Sequence, residues 1–200
     1  MLDMTDAPYA LALASTSRYR ADSLQRLNIP FSVAAPNVDE AHVPAESPPD
    51  RAARLAKAKA QALTAEFPNT VLIGSDQVAS CQGRVFDKPG NPTKAVQTLL
   101  SLRGESVDFH TAVCVYHSRT QEGIEHTDLT RVQVRADLTE TDIIRYVQTD
   151  LPLDCAGAFK VETVGISLFD AVHTEDPTAL IGLPLIAVAK ALRAFGFCVP

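Results

Sequence analysis

One acidic residue follows an apolar segment at a position where ligands commonly bind. The run Val71 to Ile73 leads into Gly74-Ser75-Asp76-Gln77, and its apolar character predicts a buried strand that ends there. In open α/β sheets, ligands bind beyond the carboxyl ends of strands, so Asp76 is a candidate catalytic residue. Gly-Ser-Asp is also ordinary turn chemistry, and position alone does not separate a turn aspartate from a functional one.

A second segment, ASTSRYRADSL, combines the features of an anion site. Hydroxyl residues from Ser15 to Ser17 leave a predicted strand and enter a predicted helix whose first turn carries Arg18 and Arg20. Backbone N–H groups at a helix N-terminus attract anions, and arginine binds phosphate through two parallel hydrogen bonds. Basic residues in a first turn oppose the helix dipole, so a bound anion would explain them. The alternative is an N-cap followed by two solvated arginines.

Three further charged residues could serve a phosphate or metal site. Lys59 falls inside the apolar stripe of a predicted helix, where an ammonium needs an anionic partner or must extend to solvent. Lys88 precedes a proline after a predicted hairpin. Glu40 follows Asp39 beside a proline-rich loop, and this carboxylate pair could hold a hard divalent cation or be solvated. The sequence contains neither a Walker A motif nor G-x-G-x-x-G, so a nucleotide would bind without either phosphate cradle.

The elements that must position these residues alternate between strands and helices. Periodicity predicts helices over residues 17–27, 48–66, 92–102 and 140–149, with two more on either side of Gly182-Leu183-Pro184. It predicts strands over residues 9–14, 31–34, 107–117 and 124–136 besides the one at Val71, and a hairpin through Gly83. Some predicted strands follow one another too closely in sequence to be parallel neighbours, because parallel strands need a long connection. The predicted fold class is therefore α/β with a mixed central sheet.

Composition limits the classes of function. The length of 200 residues, with 46% apolar and 21% charged residues, predicts one domain over residues 1–200. The net charge of −6 excludes a protein that coats nucleic acid through a basic surface. The four widely spaced cysteines argue against a zinc site or a disulfide framework. The opening MLDMTDAPYALALAS resembles neither a secretory signal nor a membrane anchor, so we expect a cytoplasmic protein that does not bind membranes.

Seven motifs, taken together, resemble those of the Maf family of nucleoside triphosphate pyrophosphatases. They are ASTSRYR, VDE, the inward Lys59, GSDQV, DKP, DCAGAFKVE and IGLPL, in this order over nearly the whole chain. The resemblance implies an elongated, ITPase-like α/β fold with a twisted sheet, two lobes around a cleft, and a homodimer. It also implies hydrolysis of a nucleoside triphosphate to the monophosphate and pyrophosphate with Mg²⁺ or Mn²⁺.

The resemblance also implies a role for each candidate residue. Asp76 would be the general base, and Glu40 and Asp76 would meet the metal. The triphosphate would be held by Ser15, Ser17, Arg20, Lys59 and Lys88, and the base would be selected by Tyr19, Gln77 and Glu162. One departure is Arg18, because the first motif of the family usually has proline there.

The segments that differ between branches favour 7-methyl-GTP as substrate. Asp76-Gln77 and Phe159-Lys160-Val161-Glu162 resemble the branch that acts on 7-methyl-GTP, whereas the dTTP/UTP branch usually has Asp-Thr and Gly-Ile-Gln-Gly. The alternatives are a dTTP/UTP or broad noncanonical triphosphate preference, a non-catalytic nucleotide-binding regulator of cell division, and, for Glu162, an exposed strand residue. Asp76 separates an enzyme from a binding module. An aspartate close to a polyphosphate repels it, so an aspartate is useful there only if it meets a metal or takes part in a proton transfer.

Overall fold

A seven-stranded mixed sheet forms the centre of this computed structural model, which describes residues 8–199. The order is β2-β1-β3-β5-β6-β7, with β4 also paired to β3. Strand β1 is parallel to β2 and β3, and the other pairs are antiparallel. The strands are β1 (Ala10–Ala14), β2 (Ser32–Ala34), β3 (Thr70–Cys81), β4 (Arg84–Phe86), β5 (Ser106–His117), β6 (Gly123–Val134) and β7 (Phe169–His173). The expected α/β class with a mixed sheet is confirmed.

Five α-helices flank this sheet in the described part of the chain. They are α1 (Arg18–Gln25), α2 (Pro48–Ala62), α3 (Pro92–Ser101), α4 (Glu140–Asp150) and α5 (Leu185–Ala194). The helix predicted before Gly182 is a single 3-10 turn, Ala179–Ile181. Strand β7 was not predicted, because this short edge strand FDAVH places only partly buried and exposed residues on the sheet and has no apolar alternation to reveal it.

Residues 1–7 lie outside the described residues, and with them the first seven residues of the segment that was compared with secretory signals and membrane anchors. Between residues 8 and 199, none of the helices combines the length and apolar character needed to cross a bilayer.

The apolar core is divided into three clusters around the sheet. On one face, β1 and the first half of β3 pack against α1 and α5, while the second half of β3 packs against α3 and α4. These two clusters are the cores of two lobes. On the opposite face, the alanine stripe of α2 packs against β1, β3 and β5. Polar side chains of Ser75, Gln77 and Thr111 lie on β3 and β5 between the two lobe cores.

Strand β3 does not end where the sequence predicted. It continues through Asp76 to Cys81, because β5 pairs with it from Val71 to Ser80. The prediction that Asp76 lies beyond the end of its own strand is therefore wrong. On the opposite edge, however, β1 pairs with β3 only as far as Gly74, and β4 pairs with β3 only from Ala79 onward. Residues 75–78 consequently face a gap in the sheet, just beyond the carboxyl end of β1.

Helix α2 packs unusually close to β3 at Gly74. A Cβ atom on Gly74 would lie 2.2 Å from the carbonyl oxygen of Ala56 and 2.5 Å from the backbone nitrogen of Ala60. Because backbone atoms cannot move aside as a side chain can, only glycine permits this distance. The close packing brings Lys59, on the same helix, over the strand that carries Asp76.

We expect Gly74→Ala to destabilise the protein by roughly 1–3 kcal/mol, because the added methyl group must push α2 away from β3. Urea unfolding followed by circular dichroism would measure the loss. Gly123→Ala is the matched control, since its nearest contact is the Tyr116 side chain at 3.3 Å. Equal effects of the two substitutions would contradict the proposed packing constraint.

Candidate active site

A cleft of about 320 Å³ includes the gap in the sheet, since Asp76, Gln77 and Val78 line it. An adjoining cavity of about 350 Å³ shares several of its lining residues, among them Arg20 and Lys59. The predicted site residues that line the cleft are Ser17, Tyr19, Arg20, Glu40, Lys59, Asp76, Gln77, Lys88 and Glu162. The remaining one, Ser15, lines the adjoining cavity. The fold thus brings all the predicted residues together; their roles stay predictions.

Lys59 forms the central contact of the cleft. Its Nζ atom lies 2.6 Å from Oδ1 of Asp76 and 2.8 Å from Oε1 of Glu40. The side chains of Lys59 and Asp76 are 8% and 12% exposed, whereas that of Glu40 is 53% exposed. The anionic partner expected for an inward lysine is therefore present, and it is one of the two carboxylates predicted to meet the metal.

The charges around Glu40 form a local cationic cluster. Burial by itself would raise the pKa of the Glu40 carboxyl, but the hydrogen bond from Lys59 and the positive charges of Lys59, Lys88 and Arg20 lower it below its ordinary value. Glu40 therefore remains an anion at neutral pH. The adjoining cavity is lined by four basic residues and two acidic ones, namely Arg18, Arg20, Lys59, Lys88, Glu40 and Asp154, so positive charge predominates there although the chain has a net charge of −6, as a polyphosphate ligand requires.

The start of α1 holds an arginine inside the cleft. Ser17 is the N-cap residue, but its side chain makes no capping hydrogen bond. Arg18 is exposed, whereas Arg20 is partly buried, with Nη1 3.5 Å from Oγ of Ser15. Burial lowers the pKa of Arg20, and the carboxylates of Asp76 and Glu40 oppose that shift. Arginine stays protonated in proteins, so Arg20 is a fixed cation; the alternative of two solvated arginines fails for it.

Gly182 positions Arg20, a role that the sequence did not reveal beyond the presence of the IGLPL motif. Its carbonyl oxygen accepts hydrogen bonds from Nε of Arg20 and from Oγ of Ser75, both at 2.9 Å. Gly182 has a φ of 115°, which glycine adopts without strain. The glycine in IGLPL was the only signal of this arrangement, because the contact joins residues 162 positions apart.

The loop that carries Glu40 is fastened to α2 by Arg54. The Arg54 guanidinium binds the Glu46 carboxylate at 2.6 and 2.8 Å, and its Nη2 lies 3.3 Å from the carbonyl oxygen of Ala41. Since Ala41 adjoins Glu40 in sequence, this contact fixes the backbone beside the carboxylate. The sequence pattern did not reveal this role of Arg54, because it depends on contacts with a loop that precedes the helix.

Gln77 uses its amide nitrogen to hold the opposite wall of the cleft. That nitrogen lies 3.0 Å from Oγ1 of Thr111 and 3.0 and 3.1 Å from the carbonyl oxygens of Ala179 and Leu180, so its two hydrogens are shared among three acceptors. Contacts within the protein therefore occupy the side-chain nitrogen of Gln77. The side-chain oxygen of Gln77 is the part available to accept a hydrogen bond from a ligand.

Tyr19 and Glu162 lie near a buried lysine. The Tyr19 ring centroid is 5.0 Å from the Arg18 guanidinium carbon and 5.7 Å from Nζ of Lys160. Burial by itself would lower the pKa of Lys160, but its interaction with Tyr19 gives a net increase. A cationic base stacked on Tyr19 would share the ring with both cations. Glu162 is exposed, as the alternative for this residue stated, but it lies in a turn and not in a strand.

The carboxylates of the cleft fit a metal that also uses substrate oxygens. Residues 8–199 contain no group of three or more His, Cys, Asp or Glu side chains arranged to hold a metal by themselves. Mg²⁺ prefers oxygen ligands, keeps several waters, and is usually bound by one or two carboxylates together with substrate phosphates. Glu40 and Asp76, which share the Lys59 ammonium, match that smaller donor set.

Several known proteins are similar to this chain. Residues 10–195 match the family model described as Maf-like protein. Proteins named 7-methyl-GTP pyrophosphatase from Aromatoleum aromaticum and Xanthomonas axonopodis pv. citri are 48% and 50% identical over 190 residues, which cover 95% of this chain and 97% and 98% of theirs. The solved Ham1 protein of Staphylococcus aureus is 12% identical, with a TM-score of 0.46 over 64% of this chain and 72% of its own.

We expect Lys59→Met to destabilise the protein by about 3–5 kcal/mol, because it leaves the buried Asp76 carboxylate without its counter-charge. Combining it with Asp76→Asn should recover part of that loss. Denaturant unfolding of both single variants and the double variant would measure the coupling.

Lys57→Met, on the same helix, is the control. Lys57 contacts Glu125 at 2.8 Å, but both side chains are largely exposed, so its removal should change stability little. If Lys59→Met costs no more than Lys57→Met, the buried ion pair does not stabilise this packing.

Proposed function

From the premise that this chain belongs to the Maf family, we propose that it hydrolyses 7-methyl-GTP to 7-methyl-GMP and diphosphate. The observation that carries the proposal is a buried carboxylate, Asp76, held by Lys59 within a cleft that Arg20 and Lys88 also line. Relatives that are 46–50% identical over nearly the whole chain bear the name 7-methyl-GTP pyrophosphatase, which supports this substrate.

In the proposed reaction, Asp76 accepts a proton from the attacking water. The water oxygen forms a bond to the α-phosphorus, and the bond from that phosphorus to the α–β bridging oxygen breaks. The electron pair of the broken bond leaves with diphosphate. A positioned carboxylate of this kind typically accelerates such a step by roughly 10²–10⁴-fold.

Positive charge in the cleft stabilises the proposed leaving group. Lys59, Arg20 and Lys88 surround Glu40 and provide cations for the β- and γ-phosphates, whose negative charge increases as the bond breaks. Ser15 and Ser17 provide hydroxyl donors at the same end of the cleft. Mg²⁺ or Mn²⁺, held by Glu40 and Asp76 together with substrate oxygens, would neutralise further phosphate charge.

Selection of the base is proposed to depend on charge and on hydrogen-bond acceptors. Methylation at N7 makes guanine cationic, and a carboxylate such as Glu162 favours a cation. Glu162 and the side-chain oxygen of Gln77 also supply acceptors for the donor edge of guanine. Tyr19 adds an aromatic face. Because Arg18 and Lys160 already lie near that face, Glu162 carries more of the proposed selectivity than Tyr19 does.

The proposal also covers assembly and location. We propose a cytoplasmic homodimer, because this is the assembly that the family resemblance implies and because nucleoside triphosphates are cytoplasmic metabolites. Light scattering of the purified protein would give its mass in solution, and a monomer would contradict the dimer without affecting the proposed reaction.

Asp76→Asn should lower kcat for 7-methyl-GTP by at least about 100-fold while leaving nucleotide binding intact, because the amide cannot accept the proton. Pyrophosphate release with Mg²⁺ or Mn²⁺ would be measured for 7-methyl-GTP, GTP, dTTP, UTP and CTP. Asp137→Asn, at an exposed aspartate that contacts Arg135, is the control.

The outcomes separate the alternatives. Preferential turnover of dTTP and UTP would retain the chemistry and overturn the proposed base selectivity. An unchanged rate for Asp76→Asn would remove that residue from the reaction. Binding of nucleotide by the wild-type protein without turnover would favour a binding module.

Glu162→Gln should reduce the preference for 7-methyl-GTP over GTP by roughly two- to fivefold, because it removes an exposed charge but keeps an acceptor. The ratio of kcat/KM for the two nucleotides would measure it. Glu66→Gln, at an exposed residue that does not line the cleft, should leave the ratio unchanged. An unchanged ratio in Glu162→Gln would contradict the role of its charge.

A further inference from the structure

Two buried side-chain nitrogens within residues 8–199 have no hydrogen-bond partner: Nε of Arg51 and Nε2 of His117. His117 packs edge-on against Tyr9 at 4.3 Å, its Nδ1 accepts backbone N–H bonds from Arg119 and Thr120, and it does not line the cleft. Arg51 differs because it lines the cleft, where a ligand could meet it. An unpaired buried donor is costly, so it calls for a partner such as a ligand or a water molecule.

Arg51 reaches the cleft from the first part of α2. Its side chain is 12% exposed and lines the cleft. One nitrogen, Nη1, lies 2.7 Å from Nε2 of His42 and 3.4 Å from Oδ1 of Asp87. Neither Nε nor Nη2 makes a hydrogen bond to any residue from 8 to 199. Nε and one Nη of a guanidinium form the fork that binds two oxygens of a phosphate.

The position of Arg51 in the cleft favours a contact with the phosphates of the substrate over a contact with its base. Arg51, Leu55 and Lys59 follow one another at intervals of four residues and all line the cleft. At roughly 1.5 Å per residue, Arg51 lies about 12 Å along the helix from Lys59. It contacts Asp87, which directly precedes the proposed phosphate-binding Lys88. A cationic base would be repelled by a guanidinium, whereas the phosphates would be attracted.

We propose that Arg51 is a further substrate-binding residue, whose Nε–H and Nη2–H donate to the β- and γ-phosphates that leave as diphosphate. This inference rests on the proposed function. Arg51 was absent from the residues that the sequence singled out, because a charged residue at the start of a helix is ordinarily a solvated one. Its buried, unpaired nitrogen distinguishes it from such a residue.

The test measures binding of inorganic pyrophosphate and of 7-methyl-GMP by calorimetry with Mg²⁺ present. Arg51→Met should weaken pyrophosphate binding roughly tenfold or more, because charged hydrogen bonds are lost, and should leave 7-methyl-GMP binding unchanged. Arg51→Lys, which keeps the charge without the fork, should lose less affinity than Arg51→Met. Arg145→Met, at an exposed arginine of α4, should alter neither affinity.

Several outcomes would overturn the inference: no pyrophosphate binding by the wild-type protein, unchanged pyrophosphate affinity in Arg51→Met, or equal weakening of both ligands. Should Arg51→Met not fold, Arg51→Lys decides, and unchanged pyrophosphate affinity there would count against the fork. Selective weakening of pyrophosphate binding in a protein that does not hydrolyse 7-methyl-GTP would support Arg51 as a phosphate ligand and overturn the proposed function instead.

Discussion

The ion pair between Lys59 and Asp76 constrains the rest of the structure, because two buried charges at 2.6 Å require a fixed helix and a fixed strand. Either charge alone would be expensive in this position, so α2 and β3 must keep a relative placement that lets the two side chains meet. The backbone achieves this through Gly74, whose missing side chain lets the alanine stripe of α2 rest directly on the strand. Packing and candidate chemistry therefore depend on the same contact.

The gap in the sheet beside residues 75–78 lets side chains from both faces of β3 line the same cleft. Neighbouring residues on a strand point to opposite faces, so Asp76 faces α2 while Gln77 faces the segment Ala179–Ile181. Beside a continuous sheet these two side chains would be separated. Residues 75–78 lie between the part of β3 that pairs with β1 and the part that pairs with β4. The side chains of Asp76 and Gln77 therefore line one cleft. A carboxylate for phosphate chemistry and an acceptor for a base can thus come from consecutive residues.

The charge arrangement follows from contacts between distant segments. Arg20 is held by Gly182, Glu40 by the loop that Arg54 fastens, and Lys59 by Asp76. Arg20 and Lys59 are thus placed by interactions with the protein before any ligand binds, so these two side chains lose little entropy when phosphate is bound. The net charge of the chain gives no indication of this local concentration.

Periodicity and short motifs are local properties, and they were enough to predict the five α-helices of the described residues, the mixed α/β class and the cleft residues that the motifs contain, although they also predicted a helix where the chain forms the 3-10 turn Ala179–Ile181. The sequence also predicted that Lys59 needs an anion, since an ammonium within an apolar stripe is costly wherever the helix lies. Only the tertiary structure decided that β3 continues through Asp76, that β7 exists, that Gly182 holds Arg20, and that Arg51 enters the cleft. Those features depend on pairing and packing between residues far apart in the chain. The local sequence pattern does not indicate which distant residues will come into contact.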